Sequence, residues 1–294
     1  MEQLFRMCAV LLCAVVFAAQ AQVGGIKPGG NHPRQGYFFV GGSYVNTPQG
    51  PLMARQMYVE YRFPAKVTQR YPIVMIHGAA QTGSNFTGTP DGRKGWAEYF
   101  VEKGYAVYVV DQPTRGRSPW HESVGPVIRF PADQVEQRFT AAANFNLWPQ
   151  AKLHTQWPGE GPLKGLRGDP IFDQFYASQV EYIGVNAVVE ELNRAAGAAL
   201  LDKIGPAIIM THSQTGAVGW VIGDARPKLV RAIVAAEPTG PPFAGAVFGT
   251  ARAPLWSDRN AARLRPAHHA PLATEARDAS HGRRPQSHAL LRAG

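Results

Sequence analysis

The stretch that decides the fold is Ile208-Ile209-Met210-Thr211-His212-Ser213-Gln214-Thr215-Gly216. Its apolar beginning predicts a buried strand, and its polar end followed by glycine indicates a turn into a helix. A serine on such a turn is either a catalytic nucleophile or a helix cap. The usual nucleophile turn has glycine two positions before and after the serine, where this chain has threonine. The local pattern alone therefore leaves both interpretations of Ser213 open.

Strand and helix patterns alternate around this turn, from residue 72 to residue 237, and include a long helix predicted over residues 177–205. The alternation predicts an α/β domain with a mostly parallel, doubly wound sheet. Polar residues end the apolar strand segments at His77, Asp111, Ser213 and Glu237. Since the carboxyl ends of parallel strands meet at one edge, where ligands bind, these side chains are expected to converge.

The composition is that of a globular protein, with 294 residues, 45% hydrophobic and 17% charged. Much of the net charge of +9 comes from residues 250–294, where eight arginines accompany three acidic residues. The rest of the chain is only mildly basic and has no basic stripe, so a nucleic-acid-binding protein is not favoured. No metal or organic cofactor is indicated by any motif.

The N-terminus begins with a short segment that contains an arginine, an apolar run and Ala19-Gln20-Ala21. This order is typical of a secretory signal peptide, here residues 1–21, with cleavage after Ala21. An apolar run of about 13 residues is too short to span a bilayer, which takes about 20. We therefore expect a periplasmic or secreted protein with no membrane contact after cleavage. Cys8 and Cys13 lie in this segment, which excludes thiol chemistry from the mature chain.

Several motifs together resemble one family. Residues 76–118 are IHGAAQTGSNFTGTPDGRKGWAEYFVEKGYAVYVVDQPTRGRS, and THSQTG and IVAAEPTG follow at residues 211–216 and 233–240. This combination is similar to exported bacterial esterases of the α/β hydrolase fold, over about residues 36–249. The family's own nucleophile turn is H-S-Q-x-G, which Thr215 and Gly216 satisfy. The resemblance implies ester hydrolysis through an acyl-enzyme, with a small-molecule ester as the partner.

The resemblance also implies the site residues. Ser213 would be the nucleophile, and the backbone N–H groups of Ala79 and Gln214 would form the oxyanion hole. Relatives carry the catalytic acid as a glutamate after the sixth strand, which matches Glu237, 24 residues after Ser213. Asp111 is the rival carboxylate, and we expect it to have a structural role near Arg115 and Arg117.

The catalytic base cannot be identified in the sequence. The family's histidine follows the eighth strand in a segment resembling H-G-N-x-H-M, which this chain lacks. We expect His77 to brace its loop and the side chain of His212 to project away from Ser213. The remaining candidates have no flanking strand, and none is assigned as base: His268, His269, His281 and His288.

Residues 250–294 contain eleven alanines and eight arginines but no readable strand or amphipathic helix. Our preferred interpretation is a coding sequence translated out of frame, and the alternative is a disordered basic tail. Under the first, the hydrolase domain (residues 22–249) lacks its last strands and closing helix. A sheet that stops there has an exposed apolar edge.

Residues 119–174, the cap region, follow the fourth strand, where this fold commonly carries a cap. Its aromatic residues either line an apolar pocket or pack the cap on the body: Trp120, Phe130, Phe139, Phe145, Trp148, Trp157, Phe172 and the adjacent Phe175. A protein that keeps such a pocket without the chemistry would be a non-catalytic small-molecule-binding protein, the alternative to an esterase.

Overall fold

The computed structural model describes residues 32–239, and the predicted signal peptide and basic tail lie outside that range. Six strands form one sheet in the order β1-β2-β4-β3-β7-β8, and β5 and β6 form a small second sheet. The strands are β1 Arg34–Thr47, β2 Gly50–Phe63, β3 Ile73–Ile76, β4 Val107–Asp111, β5 Val127–Ile128, β6 Tyr182–Ile183, β7 Ala207–His212 and β8 Val230–Ala236.

The helices are α1 Ser84–Thr87, α2 Trp96–Glu102, α3 Ala132–Val135, α4 Ala142–Phe145, α5 Pro170–Ala177, α6 Asn186–Ile204 and α7 Val218–Ala225. Short 3₁₀ turns occur at Glu122–Val124, Ala151–Leu153 and Ser213–Thr215, and a π-helical turn at Glu136–Thr140. Within this part of the chain no helix has the length and apolar character needed to cross a membrane.

The sheet is parallel where the sequence predicted it. β3 pairs in parallel with β4 on one side and with β7 on the other, and β7 pairs in parallel with β8. The hairpin of β1 and β2 extends the sheet in antiparallel fashion through β4. Because the chain winds outward from β3 in both directions, the carboxyl ends of β3 and β7 flank a topological switch point, where α/β sheets bind ligands.

Helices cover both faces of the sheet, which explains the wholly apolar strands. On one face, Val74, Tyr108 and Ile209 pack with residues of α6 and α7, such as Leu200 and Ile222. On the other face, Met75, Val109 and Met210 pack with Phe86 and with Ala97 of α2. Strands buried on both sides carry continuous apolar runs. This arrangement confirms the doubly wound prediction.

The long helix begins later than its pattern predicted. The sequence favoured a helix from residue 177, whereas α6 begins at Asn186. The preceding residues are extended because Tyr182 and Ile183 pair with β5, and because the N–H of Val180 donates to the carbonyl oxygen of Ala80. The apolar spacing of these residues fits a helix as well as an extended segment, so the contacts with β5 and Ala80 determine where the helix begins.

Candidate active site

Ser213 occupies a strained turn at the carboxyl end of β7. Its φ is 53°, in the left-handed region that a non-glycine residue rarely adopts. Hydrogen bonds to its carbonyl oxygen fix the turn, from the N–H of Gly216 at 2.8 Å and from the N–H of Thr239 at 3.1 Å. Backbone strain of this kind persists where the surroundings enforce it, and it concentrates at functional sites.

Two glycines, Gly78 and Gly216, lie where the turn of Ser213 leaves little space for a side chain. A Cβ added at Gly216 would overlap Pro238, and one added at Gly78 would lie 3.0 Å from Cβ of Ser213. Glycine is therefore needed at position 216, one residue later than in the usual nucleophile turn. The crowding at position 216 accounts for the final glycine of H-S-Q-x-G in physical terms.

Thr215 is fully buried and ties the turn to its neighbours. Its hydroxyl accepts a hydrogen bond from the N–H of His212 at 3.2 Å. Acceptors for its own proton are the carbonyl oxygens of Ile76 in β3, at 3.1 Å, and of His212, at 3.0 Å. A glycine at this position would not make these contacts, so the threonine takes part in holding the turn. No sequence pattern indicated that role.

The loop after β3 is braced by a buried histidine, as expected. Nδ1 of His77 lies 3.0 Å from the carbonyl oxygen of Gly78, and Nε2 accepts from the N–H of Gln112 at 3.1 Å. Burial, and secondarily the charge of Arg115, lowers the pKa of His77 to about 3. The Gln112 side chain donates to the carbonyl oxygen of His77 and accepts from Asn193. His77 is therefore a neutral, structural imidazole.

Gln214, directly after the serine, has its side chain fixed at both ends. Its Oε1 accepts from Nη2 of Arg115 at 3.2 Å. Its Nε2 donates to the carbonyl oxygen of Ile183 at 3.3 Å and to Oδ1 of Asn186 at 3.1 Å. This pattern of donors and acceptors determines the orientation of the amide.

Glu237 follows β8 with φ of 42° and borders the same cavity as Ser213. His212 borders it as well, and the expected direction of its side chain, away from that of Ser213, stays a prediction. Burial lowers the pKa of His212, and the charge of Glu237 opposes that shift. Nδ1 of His212 is buried and has no hydrogen-bond partner within residues 32–239.

Asp111 is fully buried and is not part of this cavity. It accepts hydrogen bonds from Nε and from the backbone N–H of Arg117, both at 2.8 Å, and from the N–H of Gly83 at 2.7 Å. Burial alone would raise the pKa of Asp111, but these hydrogen bonds lower it. The structural role expected for Asp111 is confirmed, with Arg117 rather than Arg115 as its partner.

A cavity of about 1070 Å³ opens over the carboxyl ends of β3, β7 and β8. All four residues predicted for the site border it: Ala79, Ser213, Gln214 and Glu237. On the far side lie residues of the π-helical turn, among them Arg138 and Phe139. A largely apolar surface interspersed with polar side chains is compatible with a small-molecule site.

The aromatic residues of the cap region divide between the two roles that the sequence left open. Five line the cavity: Phe130, Phe139, Trp148, Trp157 and Phe175. Phe172 is instead fully buried and stacks on Tyr176, with ring centroids 5.8 Å apart. Trp120 and Phe145 do neither, since both are exposed at the surface.

The imidazoles available to the cavity within the described residues are those of His154 and His212. His154 belongs to the cap region and meets the ring of Trp148 edge-on. The four histidines of the basic tail lie outside the described residues. Within residues 32–239 there is no cluster of three or more histidine, cysteine or acidic residues suited to a metal ion.

Two comparisons with known proteins bear on this site. The chain is 50% identical over 220 residues to a fungal protein named "Probable secreted lipase phiG", a match that covers 75% of this chain and 57% of the relative. This chain thus spans little more than half the length of that relative. No family model matches the sequence.

Among solved structures, that of a bacterial esterase is 30% identical, with a TM-score of 0.54. The match covers 71% of this chain and 69% of the esterase. Together with the sheet order, it confirms the α/β hydrolase fold that the sequence resemblance implied.

Proposed function

Because the chain belongs to the esterases of the α/β hydrolase fold, we propose that it carries the site of a serine carboxylic-ester hydrolase, with Ser213 as nucleophile. The observation that carries the proposal is the left-handed backbone conformation of Ser213, which lies at the carboxyl end of β7 and lines a largely apolar cavity. Nucleophilic serines of this fold project from such strained strand-to-helix turns.

The reaction begins when Oγ of Ser213 attacks the ester carbonyl carbon and its hydroxyl proton passes to a base. The electron pair of the C=O double bond moves to oxygen, where the N–H groups of Ala79 and Gln214 stabilise the negative charge. Collapse of this intermediate breaks the bond to the alcohol, which leaves with the proton from the base. Water then hydrolyses the acyl-enzyme by the same steps.

Glu237 is the proposed acid, because it borders the cavity at the end of the strand beside β7. In this role it orients a histidine and stabilises the imidazolium that forms when Ser213 gives up its proton. We place that histidine outside residues 32–239. His77 is unsuitable, because it is fully buried and both of its nitrogens lie within hydrogen-bond reach of the loop and Gln112. Among the described residues, His154 packs on Trp148 and Nδ1 of His212 has no partner, and neither imidazole is hydrogen-bonded to the side chain of Ser213 or Glu237.

If residues 250–294 are translated out of frame, this chain keeps its nucleophile and lacks its base. Loss of one triad member leaves a residual rate from the oxyanion hole and substrate binding. Translating the DNA after codon 249 in the other two frames tests this point. One frame should encode further strand–helix units and a histidine-containing loop, and their absence from both frames would overturn the frameshift.

The lining favours an apolar acyl or alcohol group on the substrate. Phe130, Phe139, Trp148 and Phe175 offer ring surfaces to a bound chain. Secretion fits both the N-terminal pattern and the name of the fungal relative. A non-catalytic binding protein is the less favoured alternative, since both relatives are named for enzymes that act on esters.

The test is hydrolysis of p-nitrophenyl butyrate and octanoate by the protein and by Ser213→Ala, with and without added imidazole. We expect slow turnover that depends on Ser213 and rises with imidazole, which would serve as the missing base. Fast turnover without imidazole would show that the chain supplies its own base. Equal rates for the protein and Ser213→Ala, with imidazole present, would overturn the nucleophile assignment and favour the binding protein.

A further inference from the structure

Arg115 is a buried cation without a carboxylate partner among the described residues. Only 1% of its surface is exposed, and none of the ion pairs within residues 32–239 includes it. Its guanidinium lies over the ring of Tyr182, 5.1 Å from the ring centroid, and Nη2 donates to Gln214. Nε and Nη1 have no hydrogen-bond partner in the same part of the chain.

A buried charge of this kind is costly, because the protein interior replaces its hydration poorly. Burial lowers the pKa of Arg115 to about 9, while Tyr182 opposes that shift. The guanidinium therefore stays protonated at neutral pH. Arg117, two residues away, shows the usual solution, since it is paired with Asp111 and Glu60. Packing alone does not explain a second, unpaired cation in the same turn.

The surroundings of Arg115 connect it with both proposed oxyanion donors. Its hydrogen bond holds the side chain of Gln214, the residue whose N–H is one donor. Its charge acts on His77, which braces the loop that carries Ala79. Its own backbone is fixed in a tight turn, since its N–H donates to the carbonyl oxygen of Gln112 at 3.0 Å. Arg115 thus contacts the residue of one proposed donor, Gln214, and acts electrostatically on the histidine that braces the loop of the other.

We propose that Arg115 is a positioning residue of the oxyanion hole: it fixes Gln214, and its positive charge, which has no ion pair within residues 32–239, stabilises the anion that forms on the carbonyl oxygen. Fixed charges in water-excluded sites act strongly on charge that develops in the transition state. This proposal rests on the proposed function, because it requires Ser213 to form a tetrahedral adduct.

The experiment uses 2-phenylethylboronic acid as the probe. The Oγ of Ser213 forms a bond to boron and its hydroxyl proton is released to solvent, so the trigonal boron becomes a tetrahedral anion. One of the boronate oxygens then occupies the oxyanion hole. Boron-11 NMR reports the change of geometry, and calorimetric titration gives the dissociation constant. The uncharged 2-phenylethanol, which fills the same cavity without an anion, is the reference ligand.

The variants separate positioning from general packing. We expect Arg115→Met to bind the boronic acid about tenfold more weakly, a smaller loss than that of a direct donor. Its affinity for 2-phenylethanol should stay within about twofold. Arg115→Lys keeps the charge but not the planar fork, so it should recover part of the loss. Arg226→Met is the matched control, since Arg226 pairs with Asp202 at the surface, and it should bind both ligands normally.

The outcomes separate this proposal from the proposed function. If the unaltered protein forms no tetrahedral adduct, or if Ser213→Ala forms one equally well, the proposed function fails and the role of Arg115 fails with it. If the unaltered protein forms the adduct and Arg115→Met binds the boronic acid with the same affinity, only the role of Arg115 is overturned. An equal loss for both ligands would also overturn it, by showing a packing effect. If Arg115→Met does not fold, Arg115→Gln, which is also uncharged, replaces it under the same criteria.

Discussion

Two groups of polar residues lie at the same edge of the sheet and differ in how far they are satisfied. The sealed cluster lies at the ends of β3 and β4 and consists of His77, Asp111, Gln112 and Arg117, together with Asn193 of α6. Its side chains form two hydrogen-bonded groups: Asp111 accepts from Arg117 and Gly83, and Gln112 is bonded to His77 and Asn193. Within residues 32–239 the one buried polar atom of this cluster without a partner is Oδ1 of Asn193. The open cluster follows β7 and β8 and consists of His212, Ser213, Gln214 and Glu237, all of which border the cavity.

The difference teaches that position at a strand end does not by itself make a residue part of the site. Asp111 ends β4 and Glu237 directly follows β8, yet the carboxylate of Asp111 is paired with the guanidinium of Arg117 while Glu237 borders a cavity of about 1070 Å³. A carboxylate whose oxygens are occupied by structural donors is held in place but cannot serve a substrate. The same contrast separates Phe172, which is buried, from Phe175, which lines the cavity.

The pair Phe172 and Phe175 gives the largest expected effect on stability. Phe172→Ala should lower the free energy of unfolding by about 3–5 kcal/mol, because it leaves a cavity in the core. Phe175→Ala should cost clearly less and should instead change which p-nitrophenyl ester length is preferred. Urea unfolding and the two-ester assay measure these effects. Equal destabilisation by the two variants would contradict the division between packing and lining residues.

Asp111→Asn tests the sealed cluster, and we expect a loss of about 1.5–3 kcal/mol, the usual range for a hydrogen bond to a charged group. Because the folded-state pKa of Asp111 is lowered, its contribution is present above the unfolded pKa, near 4. It should disappear as pH falls below about 4. The stability difference between the protein and Asp111→Asn should therefore shrink from pH 6 to pH 3 in urea unfolding.

The surface pair of Asp202 and Arg226 supplies the control for that series. Asp202→Asn should change the free energy of unfolding by less than about 1 kcal/mol, since exposed ion pairs contribute little. A difference between the protein and Asp111→Asn that stays constant from pH 6 to pH 3 would show that Asp111 is not the titrating group.

Among the buried positions, Thr215→Val gives the smallest expected effect, and it tests the link between the turn and β3. Loss of the hydroxyl should cost about 1 kcal/mol of stability, the typical worth of one hydrogen bond. It should also slow the reaction of Ser213, because the turn is held less firmly. Thr215→Ser, which keeps the hydroxyl, should behave normally in both measurements. Normal behaviour of Thr215→Val would leave Gly216 and Thr239 as sufficient supports of the turn.

Periodicity predicted much of the sheet and the convergence of four strand ends, because parallel strands place their carboxyl ends together. Of the four polar residues at those ends, Ser213 and Glu237 border the cavity, whereas His77 and Asp111 do not. The assignment of Ala79 came from the family resemblance. The start of α6 was missed, since the pairing of Tyr182 with β5 is a long-range contact. The burial of Arg115 could not be predicted from the sequence either, because a charged residue in a polar turn is ordinarily exposed. The roles of Phe172 and Phe175, three residues apart, depend on packing that periodicity does not determine in such a short helix.

The central claim is that Ser213 is the nucleophile of this site, and covalent labelling tests it most directly. The reagent is a p-nitrophenyl hexylphosphonate ester, whose phosphorus forms a bond with Oγ as p-nitrophenolate leaves. With imidazole present, mass spectrometry should find one phosphonyl group per chain, on the peptide that contains Ser213, and none on Ser213→Ala. An unlabelled protein, or equal labelling of Ser213→Ala, would contradict the claim.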